Sequence, residues 1–244
     1  MSEGQSFEQS HETPPQPEVD FKSVLEKGEI IETVPLEGHF HMSVVKIKDD
    51  GTALFRPDGY RYGAKIESEK NRSDIEMMAS HLDRILGFNL IPPIAIRKVE
   101  GLKGTVQEFM QEAKPAYKFG GGKWAKLVDS EEIVKAAVFD YLIDARDRSS
   151  SNFLIDEKNR KIWLIDHDRI MFFIIGYSSF ILTTAIEKGL ANLSGNLLKA
   201  IGVLIGKIDM LLSEAEGDVR ELLERVKERA KILVETGTLR TDNI

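Results

Sequence analysis

The chain of 244 residues contains no cysteine. This absence excludes structural disulfides, thiolate nucleophiles and cysteine-ligated zinc, and it favours a reducing compartment, the cytoplasm. A zinc site built on histidine is not expected either, because the five histidines are scattered and no pair has the helical spacing of metal ligands: His11, His39, His41, His81 and His167.

The chain also lacks a basic surplus and a long apolar run. Its net charge is −7, and residues 1–20 hold five acids and no lysine or arginine, so neither nucleic-acid binding nor a secretory signal is expected. Residues 171–186 are the most apolar stretch, but Gly176 and four hydroxyl side chains interrupt it. Since spanning a bilayer takes about 20 mostly apolar residues, this stretch predicts buried core and no transmembrane segment.

Composition divides the chain into three parts. Residues 1–20 are rich in Gln, Glu, Ser and Pro, which predicts a disordered acidic tail. Residues 21–112 predict a strand-rich N-lobe with one helix, and residues 113–244 predict a helical C-lobe. The predicted class is therefore α+β, with two lobes and a site at their junction.

The first half has clear local signals. Residues 44–48 and 52–56 predict a hairpin around a turn that contains Gly51. Residues 57–72 predict a loop. Ser73 and Glu76 have the spacing of a capping box, and apolar residues at helical spacing continue to the stop at Gly87. Residues 90–96 and 104–109 predict two further strands.

The second half predicts a helix over residues 131–143, with acids in its first turn. A polar loop follows, and residues 152–155 and 161–165 then predict a second hairpin. Helices over about 193–212 and 218–235 complete the chain.

Three oxygen-bearing side chains follow the helix over residues 131–143. Asp147 and Asn152 lie five residues apart in the polar loop, and Asp166 ends the second apolar strand. Each residue alone is explained as a turn former or a strand-entry residue. Together they form a pattern that can hold magnesium and orient a hydroxyl group for attack on a phosphate. Carboxylate and amide oxygens bind Mg²⁺, and a carboxylate can accept the proton of a hydroxyl group.

These residues resemble a known group of enzymes. Asp147-Arg148-x-x-x-Asn152 followed by Leu164-Ile165-Asp166-His167 is similar to the catalytic and metal-binding segments of atypical kinases. The nearest are the phosphatidylinositol 3-/4-kinase-like group and the four-jointed family of Golgi kinases. Residues 75–88 with Pro92-Pro93, residues 53–57 and residues 104–109 resemble further segments of the four-jointed kinases.

The resemblance implies roles for individual residues. Asp147 would accept or orient the acceptor hydroxyl, and Asn152 and Asp166 would hold Mg²⁺ on the phosphates of ATP. Glu76 would fix the phosphate-binding cation, although it has an alternative role in the capping box. The hinge strand over residues 108–110, with Glu108 and Phe109, would line the adenine pocket, and a turn with Gly38 would cover the phosphates.

Two departures bear on activity. Arg56 stands where the family has the nucleotide-binding lysine, and the two side chains are not interchangeable. Either the site uses Arg56, or Lys46 or Lys48 on the neighbouring strand reaches the phosphates, or catalysis is weak or absent. Asp168 stands where the family has glycine, beside the metal site.

We therefore expect an ATP- and Mg²⁺-dependent kinase that acts on a hydroxyl-bearing protein, lipid or small molecule. Two alternatives remain open. One is a nucleotide-binding pseudokinase that acts through partners, and the other is a kinase-fold nucleotidyl transferase, which would attach AMP. A lysine-bearing loop over residues 114–126 is explained equally by solvent exposure and by an anionic acceptor.

Overall fold

The computed structural model describes residues 21–36, 42–48, 51–61, 64–65, 72–167 and 179–240. The predicted acidic tail, the turn with Gly38, and Asp168 lie outside the described residues. Residues 171–178 of the apolar stretch lie outside them as well.

Strands dominate the first part of the chain. The largest sheet has five antiparallel strands in the order β1-β2-β3-β7-β6, the next has the order β10-β9-β8, and β4 pairs with β5. Their bounds are β1 Ile30–Pro35, β2 Ser43–Ile47, β3 Gly51–Pro57, β4 Tyr60–Arg61, β5 Ala64–Lys65, β6 Ile94–Val99, β7 Leu102–Glu108, β8 Lys114–Pro115, β9 Phe153–Asp156 and β10 Lys161–Leu164.

Helices dominate the second part. Their bounds are α1 Phe21–Lys27, α2 Arg72–Leu86, α3 Ser130–Leu142, α4 Phe180–Glu187, α5 Gly195–Leu212 and α6 Gly217–Thr236. Two short 3-10 helices, Ala116–Phe119 and Lys123–Lys126, precede α3. The predicted hairpins and the predicted helices α2, α3, α5 and α6 are confirmed, whereas α1, β1 and α4 were not predicted. The short strands β4, β5 and β8 lie in stretches that were predicted as loops.

Strict alternation along β3 decides which side chains reach the site. Ala53 and Phe55 are buried, and they join a small core with Leu25 of α1. Leu54 and Arg56 are partly buried and point to the other face, because successive strand residues face opposite ways. Arg56 therefore faces away from α1.

The apolar face of α2 belongs to the larger core of the molecule. Ala79 and Leu82 of α2 are buried in one cluster with Phe139 of α3 and Ile208 of α5. The same cluster includes residues of β9, β10 and α6. The position of α2 is therefore set by the helical part of the chain as well as by the sheet.

The capping box predicted at Ser73 is wrong. Ser73 lies inside α2, and both its amide and its hydroxyl donate to Asp58, in the turn after β3. Burial raises the pKa of Asp58, and the hydrogen bonds from Ser73 offset part of this effect. Asp58 therefore accepts the donors of Ser73 from outside the helix, and Glu76 bonds Arg56, Arg72 and Thr105 instead of forming a capping box.

The strand predicted from residue 90 begins at Ile94. Asp83, which is 1% exposed, accepts the amides of Leu90 and Ile91 at 3.1 and 3.0 Å. Because these amides are occupied and the two following prolines have none to donate, sheet pairing starts later. The α+β class predicted from the sequence is confirmed. Among the described helices, none is long and apolar enough to cross a membrane.

Candidate active site

Arg56 and Glu76 form the first contact of the site. Arg56 Nη1 lies 3.2 Å from Glu76 Oε1, and the Glu76 carboxylate is almost fully buried. The strand β3 supplies the cation and the helix α2 supplies the anion. A buried carboxylate needs partners of this kind, because leaving a buried charge unpaired is strongly destabilising.

Asp166, which lies 110 positions after Arg56 in the chain, contacts this pair. Its Oδ1 accepts from Arg56 Nη1 at 2.7 Å, and its side chain is 31% exposed. The residue follows β10 with a φ of 61°, in the left-handed region that non-glycine residues seldom adopt. Such a conformation costs on the order of 1 kcal/mol or more, and it is a common feature of functional sites.

Two further residues of this cluster were missed from the sequence. Arg72 Nη2 lies 3.4 Å from Glu76 Oε1 and 3.9 Å from Asp166 Oδ1. Thr105 of β7 donates its hydroxyl to Glu76 Oε2 at 2.9 Å. The spacing of Arg72, four residues before Glu76 on one helix, is a signal that could have identified it. Thr105 could be identified only from the strand register, which places it opposite Arg56.

The loop from Asp147 to Asn152 is closed by its own hydrogen bonds. The Asn152 side-chain amide donates to the Asp147 carbonyl at 2.8 Å, and the Asn152 backbone amide donates to the Ser149 carbonyl at 3.0 Å. The Ser151 hydroxyl donates to Asn152 Oδ1 at 3.1 Å. An amide oxygen has two lone pairs, so Asn152 Oδ1 can accept from Ser151 and still bind a further ligand.

The loop is joined directly to the strand that precedes Asp166. The Ile165 amide donates to the Asn152 carbonyl at 3.2 Å. Arg148 Nη1 donates to the carbonyls of both Asn152 and Ile165, at 2.7 and 2.6 Å. The structure therefore brings the backbone of the loop with Asp147 and Asn152 against the residue before Asp166.

His167 lies behind this junction and is buried. Its ring stands edge-on to Phe139 with centroids 6.0 Å apart. Burial lowers the pKa of His167 well below its usual range, and the nearby charge of Arg148 acts in the same direction. Within the described residues, its Nε2 has no hydrogen-bond partner. This histidine is a neutral packing residue at neutral pH.

The side-chain oxygens of Asn152 and Asp166 are of the kind that binds a divalent cation, if phosphate and water supply its other ligands. Among the described residues, no group of three or more His, Asp or Glu side chains could hold a metal ion by itself. Asn152 Oδ1 and the Asp166 carboxylate are hard oxygen donors, and Mg²⁺ is commonly bound by one or two protein oxygens together with phosphate and water. Arg56 already contacts Asp166 Oδ1, so a cation would share this carboxylate with it.

Lys46 is not part of this cluster. It pairs with Glu32 on β1, and Lys48 pairs with Glu29. Lys46 pairs with Thr52, which lies four residues before Arg56 on β3. Lys46 is therefore about 13 Å along the sheet from the level of Arg56. The placement favours Arg56 over Lys46 as the phosphate-binding cation, and both roles remain predictions.

The hinge residues lie at the end of β7. The Glu108 amide donates to the Pro93 carbonyl at 2.9 Å, and the Phe109 amide donates to the Thr52 carbonyl at 3.0 Å. Glu108 pairs with Ala53, so its side chain shares the α1 face and points away from Arg56. It lines a cavity of about 330 Å³ with Phe109 and other residues, and burial raises its pKa. The roles of Glu108 and Phe109 at adenine remain predictions, and the Glu108 side chain would have to reach adenine from the α1 face.

The described arrangement defines a class of fold. An antiparallel sheet carries the cation, a helix beside it carries the paired glutamate, and a helical part carries the loop and strand with Asp147, Asn152 and Asp166. This is a two-lobed protein-kinase-like fold, with an antiparallel-sheet N-terminal part and a helical C-terminal part.

Solved structures with this fold have little sequence in common with the chain. A Golgi casein kinase is 13% identical with a TM-score of 0.55, and the match covers 88% of this chain and 74% of that one. The Golgi casein kinase with Mn/ADP bound gives 13% identity, a TM-score of 0.52 and the same coverage. The Helicobacter pylori proinflammatory kinase CtkA, at 10% identity and a TM-score of 0.48, covers 87% of this chain and 95% of its own.

No family model and no curated protein matches the sequence. The fold assignment rests on the two Golgi casein kinase structures, and at 13% identity they show the fold alone. The resemblance to atypical kinases is confirmed at the level of the fold. Membership of the phosphatidylinositol 3-/4-kinase-like group or of the four-jointed family remains a prediction.

Proposed function

We propose that this protein is a kinase that transfers the terminal phosphoryl group of ATP, bound with Mg²⁺, to a hydroxyl group. The observation that carries the proposal is the bond between Arg56 and Asp166, with Glu76 on the same guanidinium nitrogen. This contact supports the proposal because a cation and a carboxylate lie together next to Ile165, whose amide is bonded to the loop that carries Asp147 and Asn152. Positioning and charge are the main requirements of phosphoryl transfer.

The residues divide the reaction between them. The acceptor oxygen forms a bond to the terminal phosphorus, the bond from that phosphorus to the bridging oxygen breaks, and ADP leaves. The proton of the acceptor hydroxyl passes to the Asp147 carboxylate. Arg56, held by Glu76, binds the phosphate oxygens. A divalent cation held by Asn152 and Asp166 would supply further positive charge to the phosphates.

The solved neighbours add support in one respect. The Golgi casein kinase has been crystallised with Mn/ADP, a divalent cation and a nucleotide, in a fold that this chain shares. We extend nucleotide and divalent-metal use to this chain because its own donor atoms fit them. The acceptor is proposed only as a hydroxyl-bearing molecule, and the cytoplasm is retained as the predicted compartment because the chain has no cysteine.

Two alanine variants test the assignment. Asp147→Ala should lower phosphoryl transfer by about 100-fold or more while nucleotide binding is kept, because it removes the proton acceptor. Asp166→Ala should weaken binding of Mg-ATP itself. Binding is followed by calorimetry and transfer by labelled terminal phosphate. Asp209→Ala, at an exposed position of α5, is the matched control. Full transfer in either site variant would contradict the proposal.

A pseudokinase is the second candidate, and one observation favours it. Arginine stands at position 56, where the atypical kinases that the chain resembles have the nucleotide-binding lysine, and the two side chains are not interchangeable. Thermal unfolding with ATP, with and without Mg²⁺, separates the two candidates when it is combined with product analysis by mass spectrometry. Nucleotide binding without ADP release or added phosphate would favour the pseudokinase, and an added AMP would indicate nucleotidyl transfer.

A further inference from the structure

Arg148, the residue after Asp147, is one of the most buried charged residues of the molecule. Its side chain is 2% exposed, and Nε donates to both carboxylate oxygens of Asp140 at 3.0 and 3.3 Å. Asp140 lies in the last turn of α3 and also accepts the Ser179 hydroxyl at 2.6 Å. Burial raises the pKa of Asp140, and the charge of Arg148 and the bond from Ser179 offset part of this effect.

The other end of the same guanidinium bonds two carbonyls. Nη1 donates to Asn152 at 2.7 Å and to Ile165 at 2.6 Å. The backbone carbonyl of Arg148 accepts the Phe180 amide at 3.0 Å, at the first residue of α4. One side chain and its backbone thus connect α3, the loop, the end of β10 and the start of α4.

Each proposed functional residue is connected to Arg148, either directly or through the residue next to it. Asp147 is joined to it by a peptide bond. Asn152 offers its own carbonyl, and the Ile165 carbonyl belongs to the peptide bond that leads into Asp166. We infer that Arg148 is a positioning residue, which sets the spacing between the proposed catalytic carboxylate Asp147 and the two proposed metal ligands. This inference rests on the proposed function.

Geometry explains why arginine is needed. The guanidinium is a rigid plane whose Nε and Nη1 donate in different directions, so it can bond Asp140 and the two carbonyls at once. A lysine keeps the buried positive charge but has one nitrogen, which cannot reach both sets of acceptors. A buried ion pair is weak evidence for stability, and its best-supported role is to select one arrangement.

Arg148→Lys tests the inference, with Arg225→Lys on the exposed side of α6 as the matched control. In Arg148→Lys we expect kcat to fall by about 100-fold, because small misplacements of reacting groups have effects of this size. Nucleotide binding without metal should stay within about threefold of wild type, since Arg56 and the hinge are untouched. A loss that only follows the folded fraction, measured by circular dichroism, would overturn the inference.

Hydrogen exchange provides a readout that does not depend on activity. The amides of Asn152 and Ile165 should exchange at least about tenfold faster in Arg148→Lys, whereas the amides inside α5 should be unchanged. If wild type transfers no phosphate, the proposed function fails and this measurement alone decides the positioning role. Unchanged exchange at both amides would overturn it.

A second variant applies if Arg148→Lys does not fold. Asp140→Asn removes the charge that holds Nε but leaves both carbonyl bonds of Nη1 available. We expect slower transfer, with faster exchange at the Ile165 amide and unchanged metal-free nucleotide affinity. Wild-type values for both transfer and exchange would contradict the inference.

Discussion

Arg56 and Asp166 are 110 positions apart in the chain, and Arg56 Nη1 lies 2.7 Å from Asp166 Oδ1. The same nitrogen contacts Glu76 at 3.2 Å. The two carboxylates would repel each other without this cation, since like charges in a partly buried site interact strongly. Arg56, together with Arg72, therefore allows both acids to occupy one site.

Two substitutions of Arg56 should show whether its positive charge or its shape is needed for binding Mg-ATP. In Arg56→Ala, we expect Mg-ATP affinity to fall by about 10- to 100-fold, which is the usual range for losing hydrogen bonds to a charged partner. Arg56→Lys keeps the charge and introduces the residue that the resembling kinases have at this position, so we expect affinity within about fivefold of wild type. Calorimetric titration measures both variants. Unchanged affinity in Arg56→Ala would show that another cation binds the phosphates.

Thr105 should stabilise Glu76 measurably. Its hydroxyl donates to Glu76 Oε2 at 2.9 Å in a buried setting. Thr105→Val keeps the shape but removes the donor, so we expect the free energy of unfolding to fall by about 1–3 kcal/mol. The control is the same substitution in a Glu76→Gln background, where a neutral amide replaces the carboxylate. An equal loss in both backgrounds, measured by urea unfolding, would exclude the charged hydrogen bond as its cause.

Local patterns were sufficient to predict most of the fold. The helices α2 and α3 have apolar stripes with clear ends, and the hairpin of β9 and β10 has a polar turn, so residues close in sequence carry the signal. Asp147, Asn152 and Asp166 could be proposed as site residues because two of them share a loop and the third follows a neighbouring strand.

The remainder depends on contacts between distant segments. The roles of Thr105 and Arg148 follow from strand register and from a buried contact with α3, which no local pattern encodes. Asp58 takes the amide of Ser73 from outside the helix, and the predicted capping box was wrong for this reason. The side chain of Glu108 lies on the α1 face because of its pairing with Ala53, which was not apparent from the hinge resemblance.

Gly104 should be essential for the position of Arg56. A Cβ at this residue would lie 2.2 Å from the Arg56 carbonyl oxygen and 2.7 Å from the Cα of Pro57, both in the backbone of β3. Gly104→Ala must push the two strands apart. We expect a loss of about 2–4 kcal/mol in the free energy of unfolding, together with weaker Mg-ATP binding.

The control for Gly104→Ala is Gly202→Ala in α5, where a Cβ meets nothing within 4 Å. Because alanine favours helix more than glycine does, this control should gain about 0.5–1 kcal/mol. Chemical unfolding measures both variants. Equal stability changes in the two would contradict the close contact between β3 and β7.

Asp83 should make stability depend on pH below neutrality. Burial raises the pKa of Asp83 from 3.8 to about 6, although the amides of Leu90 and Ile91 and the nearby charge of Lys161 oppose this effect. Between these pKa values the folded protein binds more protons than the unfolded chain. The contribution of Asp83 is therefore full below about pH 4, and it is lost as pH rises through about 6.

The Asp83→Asn variant isolates this contribution. The stability of wild type minus that of the variant should fall by about 2 kcal/mol between pH 4 and pH 7, since one pKa unit corresponds to about 1.4 kcal/mol and part of the loss has already occurred at pH 4. Urea unfolding at several pH values measures the difference, and a carboxyl carbon signal absent from the variant should titrate near pH 6. A midpoint below pH 5 would contradict the prediction. The site is coupled to this group, because the Leu90 carbonyl accepts the Leu164 amide at 2.8 Å, two residues before Asp166.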